Sequence, residues 1–134
     1  MLGKCSLLLV SLMLPSLVQA ASLKDYNIHQ TLQTVAKKSN VGVPRKINAD
    51  LTDNGYTVQD NTLINHIIVS SKQAAEMRKY PKTMRHQLTL SVCTNQGYRD
   101  LLQNGAILNY QFTEKNKNLL QKNYFSLLIV VYKH

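Results

Sequence analysis

Apolar residues recur with two different periods along this chain, and each change of period marks an element. In "SLKDYNIHQTLQTVAKK", residues 22–38, Leu23, Tyr26, Leu32, Val35 and Ala36 lie roughly on one stripe, the pattern of an amphipathic helix. Ser22 stands where an N-cap belongs. Asp25 in the first turn and Lys37 and Lys38 in the last suit the helix dipole. "SNVGVPRK" then breaks the helix, and the period falls to two. Ile47, Ala49 and Leu51 alternate, Asp53-Asn54-Gly55 reads as a turn or bulge, and Tyr56 and Val58 resume the alternation. After a second turn at Asp60-Asn61, "TLINHIIVS" places Leu63, Asn65, Ile67 and Val69 on one face and Ile64, His66 and Ile68 on the other. One hairpin with a kinked first strand is expected over residues 46–70.

The helical period returns in "SSKQAAEMRKYPKTMRHQLTLSVCTN". Ser71 can cap a short first piece, and Tyr80 should end or kink it, because a residue before proline disfavours the α conformation. Met84, Leu88 and Val92 then fall at fourfold spacing, predicting a helix over 82–93. Thr94 or Asn95 caps a further helix with Tyr98, Leu101 and Leu102 on its apolar face and Gly105 as a left-handed C-cap. Alternation over Ile107–Phe112, a turn at "EKNKN" and a long strand from Leu119 to Tyr132 close the chain; "SLLIVVY" within that strand reads as buried on both faces. The expected fold is α+β: a four-stranded, mostly antiparallel sheet in α-ββ-αα-ββ order with helices packed on it.

The first twenty residues do not belong to that pattern. Lys4 precedes an apolar run from Leu7 to Leu17, and Val18-Gln19-Ala20 fits the small-x-small rule for cleavage before Ala21. A run that short falls below the roughly 20 residues needed to span a bilayer. Residues 1–20 are therefore expected to be a secretory signal peptide, and residues 21–134 a single α+β domain. No cysteine stands at the cleavage point, so the mature protein is expected to be soluble and unlipidated, periplasmic or secreted, with no transmembrane segment. No Asn-x-Ser/Thr sequon occurs, which fits a bacterial source. Sixteen Lys and Arg against seven Asp and Glu give a formal charge of +9, and loss of Lys4 would make it +8. Such an excess favours acidic protein surfaces, anionic lipid or nucleic acid, or serves solubility alone.

Lys72, Arg78, Lys79, Lys82 and Arg85 concentrate the charge against Glu76. Tyr80 is the only aromatic among them, whereas single-stranded nucleic-acid surfaces interleave cations with stacking aromatics. The stretch points away from nucleic acid and toward an acidic protein or lipid A, or else is a solvated helical face. No HExxH, GxSxG, Walker, CxxC or dinucleotide pattern is present, and no cofactor or metal is expected. "DLTDNG" begins like a calcium loop, but its twelfth position is Asn61 where a bidentate glutamate is needed. Asp50, Asp53 and Asp60 therefore read as turn and cap residues. His66 reads as a half-buried, hydrogen-bonded strand residue. Cys93 is the only cysteine outside the first five residues, and it stands just before an expected helix N-terminus. It is a packed hydrophobe, an intermolecular thiol (a disulfide-linked dimer, for example) or a nucleophile. The last role needs a base, and nothing in the sequence places His66 or His86 beside it.

From the Pro44–Ile47–Asp50–Leu51 hairpin start through "TLINHIIV", a helix ending in Val92-Cys93, and "YRDLLQNGAILNYQF", the chain resembles a group of small exported bacterial α+β proteins. One branch is the quorum-sensing-regulated virulence factor family; another is the short, non-TPR pilotins of type II secretion. The most specific shared piece is the Cys–x5–Arg–x–Leu-Leu–x2–Gly spacing at Cys93, Arg99, Leu101, Leu102 and Gly105. In that group the matching cysteine often pairs with one near the C-terminus, but "VVYKH" has none. Pilotins of this type are also lipoproteins. The resemblance implies a non-enzymatic, exported protein-binding factor of a Gram-negative bacterium, associated with virulence, with its partner in a groove between the sheet and the 72–104 helices. A soluble pilotin-like or chaperone-like accessory of a secretion system is the alternative, and a cysteine-dependent enzyme a third.

Overall fold

Ser70, not Ser71, starts the central helices: its side chain accepts the Gln73 N–H, satisfying one of the donors that a helix start leaves open. In the computed structural model, which describes residues 25–126, the first helix occupies 25–39 (α1). Strands Arg45–Lys46 (β1), Leu51–Gln59 (β2) and Thr62–Val69 (β3) follow. Helices Ser71–Lys79 (α2), Pro81–Thr94 (α3) and Gln96–Gln103 (α4) then lead to strands Ile107–Glu114 (β4) and Leu119–Phe125 (β5). The expected signal peptide, Ser22 and Leu23, and the apolar run after residue 126 lie outside the described residues.

The α+β class agrees with expectation, but the sheet does not match in detail. It has five strands in the order β1-β2-β3-β4-β5, and it is mixed rather than four-stranded: β3 and β4 are parallel, the other neighbours antiparallel. Strand direction leaves no mark on an alternating pattern. It is set by the connection: α2, α3 and α4 carry the chain from Val69 back to the opposite end of β3, where the Ile107 N–H bonds the Asn61 carbonyl at 2.9 Å. The two-residue β1 is too short to have a period.

The helical stripes bury as spaced. In α1 the buried residues are Ile28, Leu32 and Ala36, with Val35 half-buried. Tyr26, expected on this stripe, is 60% exposed, because a residue two before Ile28 points about 200° around the helix. Met84 and Val92 are buried in α3 and Leu88 packs against the core. Tyr80 separates α2 from α3 in a non-helical conformation, and Pro81 opens α3, where its missing N–H costs nothing. Asn95 caps α4 by accepting the Tyr98 N–H at 3.0 Å. Gly105, at φ +96°, ends α4: its N–H bonds the Leu102 carbonyl and the Ala106 N–H bonds the Leu101 carbonyl. These helices share one core with Leu63, Ile67, Val69, Leu108, Phe112 and Phe125, and Tyr110 meets Phe125 edge-to-face at 5.9 Å.

Two polar clusters fix the sheet. Asp53-Asn54-Gly55 is a bulge within β2. There the buried Asp53 carboxylate accepts from the Gly55 N–H, Asn65 Nδ2 and Arg45. Gly55 sits at φ +103°, and a Cβ would come within 2.8 Å of Asn40 Oδ1. Asn40 bonds both the N–H and the carbonyl of Tyr56, acting as a short mimic of a neighbouring strand. At the far end of β4, the fully buried Glu114 carboxylate is held by Arg78 from α2 and by Lys117 at 2.8 Å. Without both cations a buried carboxylate would be strongly destabilising.

Hydrogen bonds from Lys117 and Arg78 hold the Glu114 pKa below the ordinary carboxylate value, against the opposing effect of burial. A depressed folded-state pKa contributes stability above the unfolded value and loses it as pH falls through the folded one. Glu114→Gln should therefore lower the melting temperature at pH 7, and the gap to the native protein should narrow as acid protonates the native carboxylate. Melts at pH 7 and below pH 4 check this; a gap independent of pH would count against it. Gly105→Ala should cost about 1 kcal/mol in urea unfolding, because nothing lies within 4 Å of the added Cβ and only backbone strain remains.

Candidate functional site

A groove opens where the start of β2 meets α2 and α3. Leu51, Met77 and Met84 form its apolar floor, Gln73, Glu76, Thr83 and Gln87 its walls, and Tyr80, 53% exposed, stands at its rim. The two methionines are unbranched and adaptable, as suits a surface that takes up another protein's side chain. Its volume of about 210 Å³ is small for a drug-sized ligand, whose pockets run from about 300 Å³ upward, but sufficient for an anchoring side chain. The groove lies between the start of β2 and the helices α2 and α3.

The five cations singled out in the sequence divide into two kinds. Lys72, Lys79 and Lys82 are exposed, with the Lys79 ammonium 5.4 Å from the centre of the Tyr80 ring. Arg78 is committed to Glu114. Arg85 donates to the Tyr124 carbonyl at 2.8 Å and lies 4.0 Å over the Phe125 ring. The expected single basic patch is thus three free lysines and two arginines already engaged with the sheet.

Cys93 is half-buried in the last turn of α3, beside the fully buried Val92. It does not precede a helix N-terminus directly: two residues separate it from α4, and the nearer helix end is the C-terminus of α3, whose dipole has the opposite sign. The described histidines are placed elsewhere. His66 shares a 2.7 Å hydrogen bond with Thr57 on the sheet face opposite Leu63 and Ile67, and partial burial lowers its pKa. His29 bonds the Asp60 carbonyl at 2.6 Å. His86 precedes Cys93 by two turns of α3, about 10 Å along the axis. His134 lies outside the described residues. The aspartates do structural work: Asp50 accepts from Ser70, Asp53 pins the bulge, and Asp60 takes positive φ in the β2–β3 turn.

One cluster had no sequence signal beyond residue type. Tyr56 of β2, Tyr98 of α4 and Tyr110 of β4 meet with Asn65 around a cavity of about 10 Å³. Burial, and then the Tyr98 hydroxyl, push the Tyr56 and Tyr110 pKa values far above the ordinary tyrosine value. Both stay protonated and serve to seat α4 on the sheet.

A family model described as "Putative quorum-sensing-regulated virulence factor" matches residues 21–126. Among solved structures, the chain is similar to a "putative secreted protein" of Pseudomonas aeruginosa, with 49% identity, a TM-score of 0.75, and 78% of this chain and 94% of that one covered. Two type II secretion pilotins share the fold. That of Vibrio vulnificus has 13% identity and a TM-score of 0.71 over 81% of this chain and 96% of its own. That of Vibrio cholerae has 17% identity and a TM-score of 0.66 over 80% of this chain and 95% of its own. No curated protein matches the chain.

Half-burial of Cys93 beside Val92 predicts slow alkylation in the native protein, complete alkylation after denaturation, and a monomer mass without reductant. Rapid native alkylation would instead make it an accessible free thiol, and a doubled mass lost on reduction would make it an intermolecular one.

Proposed function

The chain belongs to the quorum-sensing-regulated virulence factor family, and from that premise we propose that it is an exported, non-enzymatic factor that binds a protein partner. The groove of Leu51, Met77 and Met84 carries this reading. It offers an apolar, adaptable floor beside an exposed tyrosine and lysines, the make-up of a site that anchors a few side chains of a larger partner. Export is supported by the sequence of residues 1–20 and by the family match beginning at residue 21, the residue expected to follow cleavage. Among the described residues no helix is long and apolar enough to cross a membrane. The relatives come from Gram-negative bacteria, which suggests such a source here.

The fold shared with two pilotins favours a second reading, a soluble accessory of a secretion system. An amphipathic helix of a secretin subunit would then lay its apolar face in the same groove. In this reading Ala21 stands at the expected cleavage point, where a lipoprotein has cysteine, so the accessory would work without a lipid anchor.

Tyr80→Asp tests the groove without touching the core, since Tyr80 is half exposed. Native protein isolated from its source should retain a protein partner, and the variant should lose it with little change in melting temperature. Unaltered retention by the variant would remove the groove from the reading. A secretin subunit as the retained partner would select the accessory role.

A further inference from the structure

We propose that the outer edge of β5 is a second docking site, for an acidic, extended segment of a partner protein that adds to the sheet as a strand. β5 ends the strand order, and among the described residues it pairs only with β4. The Tyr124 carbonyl receives Arg85 from outside the sheet. Backbone groups alternate in direction along a strand, so Tyr124 and Lys122 both turn their N–H and carbonyl away from β4. Both side chains are exposed, while Asn123 and Phe125 between and beyond them are buried.

Cations surround this edge. Lys122 lies on the strand itself. Arg85 reaches the edge from α3, and a 3.3 Å bond from Gln121 to the Pro81 carbonyl brings the start of α3, with Lys82, alongside. Arg78 and Lys117 converge just beyond, on a carboxylate they bury and neutralise. Lysine on an open edge ordinarily guards against pairing with other strands. The guard is selective, however. A second copy of this chain would bring its own cations against these, whereas a strand bearing carboxylates is attracted. As such a strand adds, its amide takes the Tyr124 carbonyl from Arg85, and the guanidinium, still over Phe125, turns to a carboxylate.

This site is independent of the groove. α3 stands between them, with Met84 and Gln87 lining the groove and Pro81 and Arg85 touching β5.

The test uses a labelled peptide of alternating Glu and Val, the same peptide N-methylated at alternate residues, a Lys-Val peptide, and phosphatidylglycerol vesicles. The Glu-Val peptide should bind and slow hydrogen exchange at the Lys122 and Tyr124 amides. Lys122→Glu and Arg85→Ala should each weaken it by about tenfold or more. Lys122 is exposed, so its variant reads the site even where loss of Arg85 unsettles Phe125. Tyr80→Ala, which adds no charge beside Lys82, should leave this binding unchanged, which separates failure here from failure of the groove. No binding, binding without protection at Lys122 and Tyr124, equal binding of the N-methylated or Lys-Val peptide, or binding of vesicles alone would each overturn the proposal.

Discussion

The parallel pairing of β3 with β4 runs the length of both strands, from Thr62 opposite Ile107 to Val69 opposite Glu114. Parallel neighbours cannot be joined by a tight turn, so a long crossover must return the chain to the end where β3 began. Here that crossover is α2, α3 and α4. It lies over the face that carries Leu63, Ile67 and Val69 on β3 and Leu108, Tyr110 and Phe112 on β4, and those side chains with the helical stripes form the core. The groove exists because α2 and α3 cross beside the start of β2. The outer edge of β5 is approached by Arg85 because α3 passes it on its other side.

Buried polar groups hold this arrangement to one register. Val69 faces Glu114, and Glu114 must meet Arg78 and Lys117 or remain an uncompensated charge. A slip by one residue would move the carboxylate to the opposite face of the sheet, away from Arg78. At the other side of the sheet the Asp53–Asn65–Gly55 bonds do the same for β2 and β3. The tyrosines then tie α4 to both strands across the middle. The Glu114 and tyrosine clusters join a helix to strands distant in sequence, and the Asp53 cluster joins adjacent strands, so specificity of the fold is distributed over the sheet rather than placed in its apolar centre.

For function, the two faces of α3 differ in chemistry. One offers methionine, leucine and an exposed tyrosine; the other offers arginine and lysine along a strand edge. An apolar floor supplies affinity without direction, and a cationic edge supplies partner choice and orientation. The proposed protein-binding role would use both.

The hairpin of β2 and β3, the bulge at Gly55, the break at Pro81, the Met84–Leu88–Val92 stripe and the Gly105 cap were all legible in the sequence, because each depends on residues within a turn or two of one another. So was the half-buried, bonded state of His66, through strand alternation. The direction of β4 and the short β1 were not. Strand direction is decided by where a crossover ends, and a two-residue strand exists only through its partner. Nor could the sequence divide the five cations. Arg78 and Arg85 look like their neighbouring lysines until Glu114 and Tyr124, 36 and 39 residues further on, fold back against them. Local spacing determined the elements, their faces and their ends; only the tertiary structure, by bringing distant charges and backbone groups together, decided which of these cations are engaged by the fold and which stand free of it.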